Sequence, residues 1–238
     1  GYPYGCVEQT MSRFLPAVTV ARTLESAGVN LEELQAARKT DDFHHIKSRP
    51  WSYYRPAPVY SSAGLAFVVK SGISRLESFQ HGDGGWGWWQ YDKSDPWMSA
   101  YVVYGLTTAK AAGYAISASV IERGQAFLKG ELSHIDRIHL ANWMAFALAE
   151  SGAPDKAVLA KLYERRDDLT LYSKALLAIA CHGAGLRDEA KIMIENFENW
   201  VSRDEANNQA WWKPWSNEYW YWYNDKIETN AWILQAFL

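Results

Sequence analysis

Cys6 and Gln9 lie near the start of the chain and could react with each other. Side chains three positions apart lie on one side of a helix, so a helical turn brings the thiol and the amide together. If the sulfur displaces ammonia from the amide, the product is an internal thioester, an acyl group on a good leaving group. A lysine amine that attacks it gives an amide, a hydroxyl gives an ester, and water destroys the site. Taken alone, such a pair is far more typical of an ordinary structural cysteine, and only the surrounding residues favour the thioester.

The residues around the pair favour the thioester. The segment reads Tyr2-Pro3-Tyr4-Gly5-Cys6-Val7-Glu8-Gln9. It resembles the thioester segment of the alpha-2-macroglobulin and complement family, and its Tyr-Pro-Tyr lead-in resembles the bacterial branch. Two later stretches are similar to motifs of the same domain: 80–101, with an Asp-Gly-Gly-aromatic loop and a helix start, and 221–231, with a helix entry.

The resemblance implies roles for the residues of this segment. Cys6 and Gln9 are expected to form the cross-link, and Gly5 belongs to the same core motif. Glu8 is expected either to orient the site or to face solvent at a helix start, where acidic residues are favoured. The large side chains nearby either keep water away from the thioester or pack in an ordinary core: Tyr2, Tyr4 and Met11.

One departure from the family concerns histidine. Complement-type members carry a histidine between the Asp-Gly-aromatic loop and the next helix, and it directs acyl transfer toward hydroxyls. The matching interval, Trp86 to Ser94, contains no histidine, and His81 precedes the Asp-Gly-Gly. The other histidines lie elsewhere, where a satisfied or surface role is expected: His44, His45, His134, His139 and His182. We therefore expect direct attack by amines, with hydroxyls and water reacting more slowly.

Chain length and charge limit the classes of protein. The 238 residues fit one domain, 1–238, and the formal net charge of −3 with no basic block does not favour nucleic acid or an anionic membrane as partner. No signal peptide or membrane-spanning run is evident. The chain begins at the motif and ends within an apolar pattern, so we interpret it as a fragment of a larger multidomain protein. The family resemblance implies a periplasmic, cell-envelope or secreted location.

Helical periodicity dominates the chain. The predicted helices are 10–27, 31–39, 60–79, 97–112, 117–129, 137–151, 154–165, 170–183, 187–201 and 227–238. Several end in a small residue and a glycine, as at Gly152 and Gly185, which is typical of a helix C-terminus. Such repeated antiparallel pairs form an open solenoid or a closed ring. The resemblance and the apolar later helices favour an all-α fold, an α/α toroid of antiparallel helix pairs, lacking its last helices.

The segments between helices are rich in aromatic residues, notably 80–96 and 202–226. Exposed aromatic rings in such numbers usually pack over something. We therefore predict that at least one cluster shields Cys6: Tyr2 and Tyr4, loop 86–89 or loop 211–222. Otherwise these rings are turn clamps or a docking surface. Gln80 and Trp86 are expected to clamp a turn, although similar strings occur in terpene cyclases, whose acidic motifs are lacking here.

Metal and cofactor sites have no support in the sequence. The two cysteines, Cys6 and Cys181, form no zinc motif, and a bridge between them would consume the sulfur that the thioester needs. Cys181 lies in an apolar run and is expected to be buried. We expect no cofactor and no metal.

The resemblance implies the thioester domain of a bacterial protease trap and inhibitor. A protease cuts a bait segment elsewhere in the parent protein, the thioester is exposed, and a lysine of the protease attacks it. This is a single-turnover acylation rather than enzymatic catalysis, and the partners are target proteases and other domains of the same parent. Two alternatives remain: an α/α-toroid enzyme acting on polysaccharides with paired carboxylates, and a non-covalent interaction module whose Cys6 is unreacted.

Overall fold

A computed structural model describes residues 5–33, 62–214 and 226–238 of the chain. Its α-helices are α1 (Val7–Ser26), α2 (Ser62–Ser78), α3 (Pro96–Ala111), α4 (Ala118–Leu132), α5 (Ile138–Glu150), α6 (Lys156–Glu164), α7 (Leu171–Gly183), α8 (Arg187–Trp200) and α9 (Lys226–Phe237). A 3₁₀ turn, Arg166–Asp168, joins α6 to α7. Residues 31–33 begin the short helix predicted at 31–39, and 34–39 lie outside the described residues.

A small hairpin differs from the prediction that 202–226 is a loop. Strands β1 (Ser202–Asp204) and β2 (Gln209–Trp211) pair antiparallel between α8 and α9. The turn contains Asn208, whose φ of 52° is the left-handed conformation that asparagine tolerates. Residues 215–225 of this predicted loop lie outside the described residues.

Capping residues set the helix bounds. The Asp95 carboxylate accepts the Met98 amide hydrogen at 2.8 Å, and Pro96 occupies the first turn of α3, where a missing N–H costs nothing. Asp155 caps α6 in the same way. At the other ends, Gly113 and Gly152 take positive φ angles of 83°, which glycine adopts without a Cβ clash.

The helices alternate between an inner and an outer layer. The inner helices α1, α3, α5, α7 and α9 pack side by side in that order. The outer helices α2, α4 and α8 each pack mainly on the inner helix that precedes them in the chain. Helix α6 packs on both α5 and α7. The middle inner helices are the most buried, since every residue from Leu140 to Leu148 is buried. This arrangement confirms the predicted α/α toroid. Because successive helices run antiparallel, the inner helices are parallel and their N-terminal ends meet at one end of the ring.

Helix α1 approaches its two neighbours closely at glycines. A Cβ atom on Gly72 of α2 would lie 2.8 Å from Phe14 Cδ2, and one on Gly105 of α3 would lie 2.4 Å from Met11 Cε. Phe14 and Met11 are buried in these contacts. Met11 is thus packed in the helix core, which is the ordinary-packing interpretation of that residue. These contacts fix the N-terminal end of α1, where Cys6 lies.

None of the helices in the described ranges combines the length and the apolar character needed to cross a membrane.

A candidate thioester site at the start of the first helix

Cys6 and Gln9 cap the first turn of α1 reciprocally. The Cys6 Sγ accepts a hydrogen bond from the Gln9 backbone N–H at 3.3 Å, and the Gln9 Oε1 accepts one from the Cys6 backbone N–H at 3.3 Å. This is the capping-box arrangement, which normally pairs serine or threonine with glutamate or glutamine. Cysteine is not among the residues that helix capping favours. The two side chains thus lie on the same turn, each bonded to the backbone N–H of the other residue.

The flanking backbone is tied to two other parts of the fold. The Gly5 carbonyl accepts a hydrogen bond from the Arg75 guanidinium of α2 at 2.5 Å. The Val7 amide donates to the Trp88 carbonyl at 2.9 Å. The residues on both sides of Cys6 are therefore held by α2 and by the loop before α3.

The two reacting side chains differ in exposure. Cys6 is 6% exposed, whereas Gln9 is exposed. The sulfur is thus sheltered while the amide reaches the surface. A molecule in solution can therefore reach the Gln9 side chain without entering the core.

Glu8 lies beside the sulfur. Its Oε2 is 4.0 Å from Cys6 Sγ, and its Oε1 accepts a hydrogen bond from the Ser12 hydroxyl one turn later. The side chain is half-buried. Both roles expected for Glu8, orienting the site and facing solvent at a helix start, stay predictions.

The loop between α2 and α3 is clamped by Gln80 and Trp86. The Gln80 amide donates to the carbonyls of Gly84 and Val120, each at 2.9 Å. The Trp86 ring is fully buried, and its indole N–H donates to the Leu76 carbonyl at 2.7 Å. These contacts confirm the prediction that the glutamine and the tryptophan clamp a turn.

His81 belongs to the same clamp. Its Nδ1 lies 2.9 Å from the Ser94 hydroxyl, and its Nε2 lies 3.1 Å from the Gln90 carbonyl. Both ring nitrogens therefore contact the loop itself. Neither is directed at Cys6.

The predicted shield clusters lie in different places. The 86–89 loop lies at the site, because its Trp88 carbonyl binds the residue after Cys6. Trp212 instead stacks on Phe237, with ring centroids 5.9 Å apart, at the α8–α9 side. Tyr2, Tyr4 and residues 215–222 lie outside the described residues.

A cavity of about 440 Å³ opens next to Glu8, at the end of the ring where the inner helices begin. Its wall includes Glu8 of α1, Trp88, Trp97 of α3, Trp143 of α5, Tyr172 of α7 and Glu228 of α9. The sequence motifs did not single out the inner-helix rings, because they are spread over many residues inside helices. The available signal is an aromatic or acidic residue in the first or second turn of every second helix.

Burial and negative charge act together in this cavity. Burial raises the pKa of Tyr101, and the carboxylates of Glu8 and Glu228 raise it further. Burial and Glu228 also raise the pKa of Tyr172. Glu8, Tyr101 and Glu228 all line this cavity, and its negative charge favours a positively charged occupant.

The remaining candidates lie apart from this site. Cys181 is fully buried in α7, and burial raises the pKa of its thiol to about 12. His139 contacts Ser173 at 3.1 Å, and burial lowers its pKa. No cluster of three or more potential metal ligands occurs in the described part of the chain.

Comparison with known proteins identifies the family. The A-macroglobulin TED domain model matches residues 1–134, more than half of the chain. The chain belongs to the alpha-macroglobulin TED domain family. Alpha-2-macroglobulin of Thermotoga maritima is 37% identical over 128 residues, 54% of this chain and 6% of that protein. Alpha-2-macroglobulin of Escherichia coli K12 is 29% identical over 125 residues, 52% of this chain and 6% of that protein.

A solved structure extends the likeness over the C-terminal half. The crystal structure of Salmonella alpha-2-macroglobulin reacted with methylamine superposes with a TM-score of 0.64 at 23% identity. The match covers 99% of this chain and 14% of that one. At this identity the likeness concerns the fold. The chain thus corresponds to one thioester domain and to a small part of the length of its bacterial relatives.

Proposed function

We propose that residues 1–238 form the acylating domain of a bacterial alpha-2-macroglobulin-like protease trap, with an internal thioester between Cys6 and Gln9. The observation that carries this proposal is the reciprocal capping of Cys6 and Gln9 at the start of α1. An ordinary cap needs no sulfur, and an ordinary buried cysteine needs no glutamine side chain bonded to its backbone amide. Membership of the TED domain family supports the same chemistry.

Thioester formation and acyl transfer both balance. The Cys6 sulfur attacks the Gln9 side-chain carbonyl, the carbon–nitrogen bond breaks, and ammonia leaves with the thiol proton. Later a lysine amine attacks the same carbon, a carbon–nitrogen bond forms, and the carbon–sulfur bond breaks with its electron pair on Cys6. The amine proton then passes to the sulfur. Each domain reacts once.

The helix start supports the departing sulfur. The N-terminus of a helix favours negative charge, and the Gln9 backbone N–H already donates to Sγ at 3.3 Å. Glu8 acts in the opposite sense, because its carboxylate lies 4.0 Å from the sulfur. The helix start stabilises a thiolate at Cys6, whereas the Glu8 carboxylate destabilises it. These opposing effects suit a thioester that is stable until a strong nucleophile arrives.

The loop chemistry supports amines as nucleophiles. The interval 86–94 contains no histidine that could form an acyl-imidazole. His81 is committed to Ser94 and Gln90. Direct attack therefore favours the strongest nucleophile, and a primary amine is a stronger nucleophile than a hydroxyl or water.

The steps that precede acylation belong to the parent protein. A protease cleaves a bait, neighbouring domains move, and the exposed thioester captures a lysine of that protease. The protein then acts as an inhibitor outside the cytoplasm, in the periplasm or cell envelope or after secretion. The bacterial alpha-2-macroglobulins that match this chain support these steps.

Intact-protein mass tests the thioester. Unreacted protein should be lighter than its sequence by one ammonia, and its Cys6 should resist alkylation. Methylamine should restore one reactive thiol and add its mass to the Gln9 peptide. Cys181 should stay silent in the folded protein because it is buried and its thiol pKa is about 12. The matched variants are Cys6→Ala, which should abolish the mass deficit, and Cys181→Ala, which should keep it.

A full mass with rapid alkylation of Cys6 would contradict the proposal. The same measurement on the full-length parent is the control, since isolation of the domain exposes the site to water. This outcome would favour the non-covalent module with an unreacted cysteine.

Competition between nucleophiles tests the amine preference. Methylamine and glycerol at equal concentration should give almost only the methylamide on Gln9, read by peptide mass. A dominant glycerol ester would require a relay group that the loop does not offer.

One observation favours a second candidate, an enzyme that cleaves polysaccharides. Glu8 and Glu228 line one aromatic cavity, and glycosidases use two carboxylates with aromatic sugar platforms. Such an enzyme should release reducing ends over many turnovers, lose this with Glu228→Gln and keep it with Cys6→Ala. Absence of turnover on a polysaccharide panel would remove it.

A further inference from the structure

The cavity beside Glu8 is walled mainly by aromatic rings. Trp88 stacks on Trp97 with centroids 6.3 Å apart, and Trp97 stacks on Trp143 at 6.4 Å. Tyr101 lies 5.3 Å from Trp97 and 6.5 Å from Trp143. These four aromatic side chains form one continuous surface from the loop at Cys6 toward the axis of the toroid. Aromatic faces carry partial negative charge and attract cations.

Two carboxylates complete the wall. Glu8 reaches in from α1, and Glu228 from α9. The Glu228 Oε1 accepts hydrogen bonds from the Tyr172 hydroxyl and the Trp232 indole N–H, each at 3.4 Å. Among the described residues that line the cavity there is no lysine or arginine. The field inside is therefore negative, and a cationic occupant is complementary to it.

The cavity also lies beside the reacting bond. Glu8 is shared, because it lines the cavity and its Oε2 lies 4.0 Å from Cys6 Sγ. Trp88 is shared as well, since its ring lines the cavity and its carbonyl binds Val7. Only the side chain of Glu8 or Trp88 thus separates an occupant of the cavity from the Cys6 segment.

We propose that this aromatic and acidic cavity binds an alkylammonium group, the cationic head of a lysine side chain, before acyl transfer at Cys6. Trp88, Trp97 and Trp143 supply the aromatic faces, and Glu8 and Glu228 supply the counter-charge. The cavity concentrates amines, rather than neutral hydroxyl compounds, at the thioester. The bound alkylammonium gives one proton to water before its nitrogen attacks, and the neutral amine then reacts as written above. The binding stands on the cavity alone, while its purpose rests on the proposed acylation.

The binding is tested without the thioester, in the Cys6→Ala protein. The probe is choline, whose trimethylammonium head cannot be acylated at nitrogen, and the control is its uncharged isostere, 3,3-dimethyl-1-butanol. In proton NMR the choline N-methyl signal should move upfield and saturate, because aromatic faces shield a group placed against them. The isostere should show no saturable shift. Equal behaviour of the two compounds would overturn the proposal, because the cavity would then be merely apolar.

Matched variants locate the binding. Glu228→Gln should weaken choline binding about threefold, the effect of one partly exposed charge. Trp88→Ala should weaken it, whereas Trp89→Ala should not, since Trp89 is exposed in the same loop but does not line the cavity. Circular dichroism should be unchanged in all three. Equal loss in both tryptophan variants would place the choline elsewhere and overturn the assignment.

Kinetics link the cavity to acylation. In the wild-type protein, choline should raise the methylamine concentration that gives half-maximal reaction and leave the maximal rate unchanged. Saturable choline binding without any mass deficit would keep the cavity and reject the thioester. A mass deficit and methylamine reaction without choline binding would keep the thioester and reject the cavity.

Discussion

Two tryptophan-rich segments of this toroid use the same clamp. Each comes after an outer helix and leads to an inner one, and in the described part of each segment one tryptophan is buried. The Trp86 indole N–H donates to the Leu76 carbonyl near the end of α2, and the Trp212 indole N–H donates to the Phe197 carbonyl near the end of α8, both at 2.7 Å. The carbonyls at a helix end lack helical partners, so each tryptophan satisfies one of them.

The backbone of each tryptophan is held by the next helix in the chain. The Ser99 hydroxyl of α3 contacts the Trp86 N–H at 2.8 Å and its carbonyl at 3.2 Å. The Asn230 amide of α9 contacts the Trp212 N–H at 2.8 Å and its carbonyl at 2.9 Å. The clamp is thus a repeated structural device of the ring.

The two segments differ in the contacts made by the residues beside the clamp. After Trp86 the loop continues to Trp88, whose carbonyl binds Val7 next to Cys6. Trp212 stacks on Phe237 at the α8–α9 side. Among the described residues of the two segments, the contact to the first helix distinguishes the loop at the candidate site.

The largest expected effect is loss of the first clamp. Trp86→Ala should lower the free energy of unfolding by about 3–5 kcal/mol, because a fully buried ring and its hydrogen bond are removed. Trp212→Ala should also destabilise the fold, yet only Trp86→Ala should speed thioester loss. Urea denaturation and timed intact mass measure the two effects. Equal thioester loss in both variants would break the comparison.

Gly87→Ala should disturb the first loop alone. A Cβ atom there would lie 1.7 Å from Asp92 Oδ1, and Asp92 Oδ2 holds the amides of Trp88 and Trp89 at 3.0 Å. The loop must move, at a cost of about 1–3 kcal/mol. Thioester half-life should shorten in this variant. Gly82→Ala is the control, since nothing lies within 4 Å of its Cβ position.

The polar residue of each clamp offers a smaller test. Ser99→Ala leaves the buried Trp86 amide hydrogen without its acceptor, which costs about 1–3 kcal/mol. The Trp86 carbonyl keeps its hydrogen bond from the Asp95 amide. Asn230 is half-buried, so water replaces part of its contacts and Asn230→Ala should cost less. Thermal unfolding of the two variants gives the comparison. A larger loss at Asn230 would mean that the second clamp carries more of the fold.

The smallest effect on stability is expected at the exposed rings. Trp88 and Trp89 are 45% and 57% exposed, and alanine at either position should change the free energy of unfolding by no more than about 0.5 kcal/mol. Trp88→Ala should still speed thioester hydrolysis, because its ring covers the cavity beside Glu8. Trp89→Ala should leave the half-life unchanged. Identical half-lives in the two variants would argue against the shield.

Helix bounds were largely predictable because the local signals were strong. Asp95 and Pro96 mark the start of α3, and glycines at positive φ, such as Gly152, mark the ends. The β1–β2 hairpin escaped prediction, because strands of three residues with little burial leave no alternating pattern.

The site was predictable in part for a similar reason. Cys6 and Gln9 are three residues apart, so one helical turn determines their geometry. The cavity is different, since Trp97, Trp143 and Glu228 meet only after the ring has assembled. No short-range pattern indicates which rings of successive helices will share one wall.

The glycine contacts of α1 have a mechanical consequence. A protein captured on Gln9 would hang from the third residue of this helix, and any pull on it would run along the helix axis. Phe14 packs against Gly72 of α2, and Met11 packs against Gly105 of α3. A force on the captured protein would therefore be transmitted to α2 and α3. The captured protein would be attached to the core of the toroid rather than to a surface loop. Mechanical release would require an inner helix to be pulled out of that core.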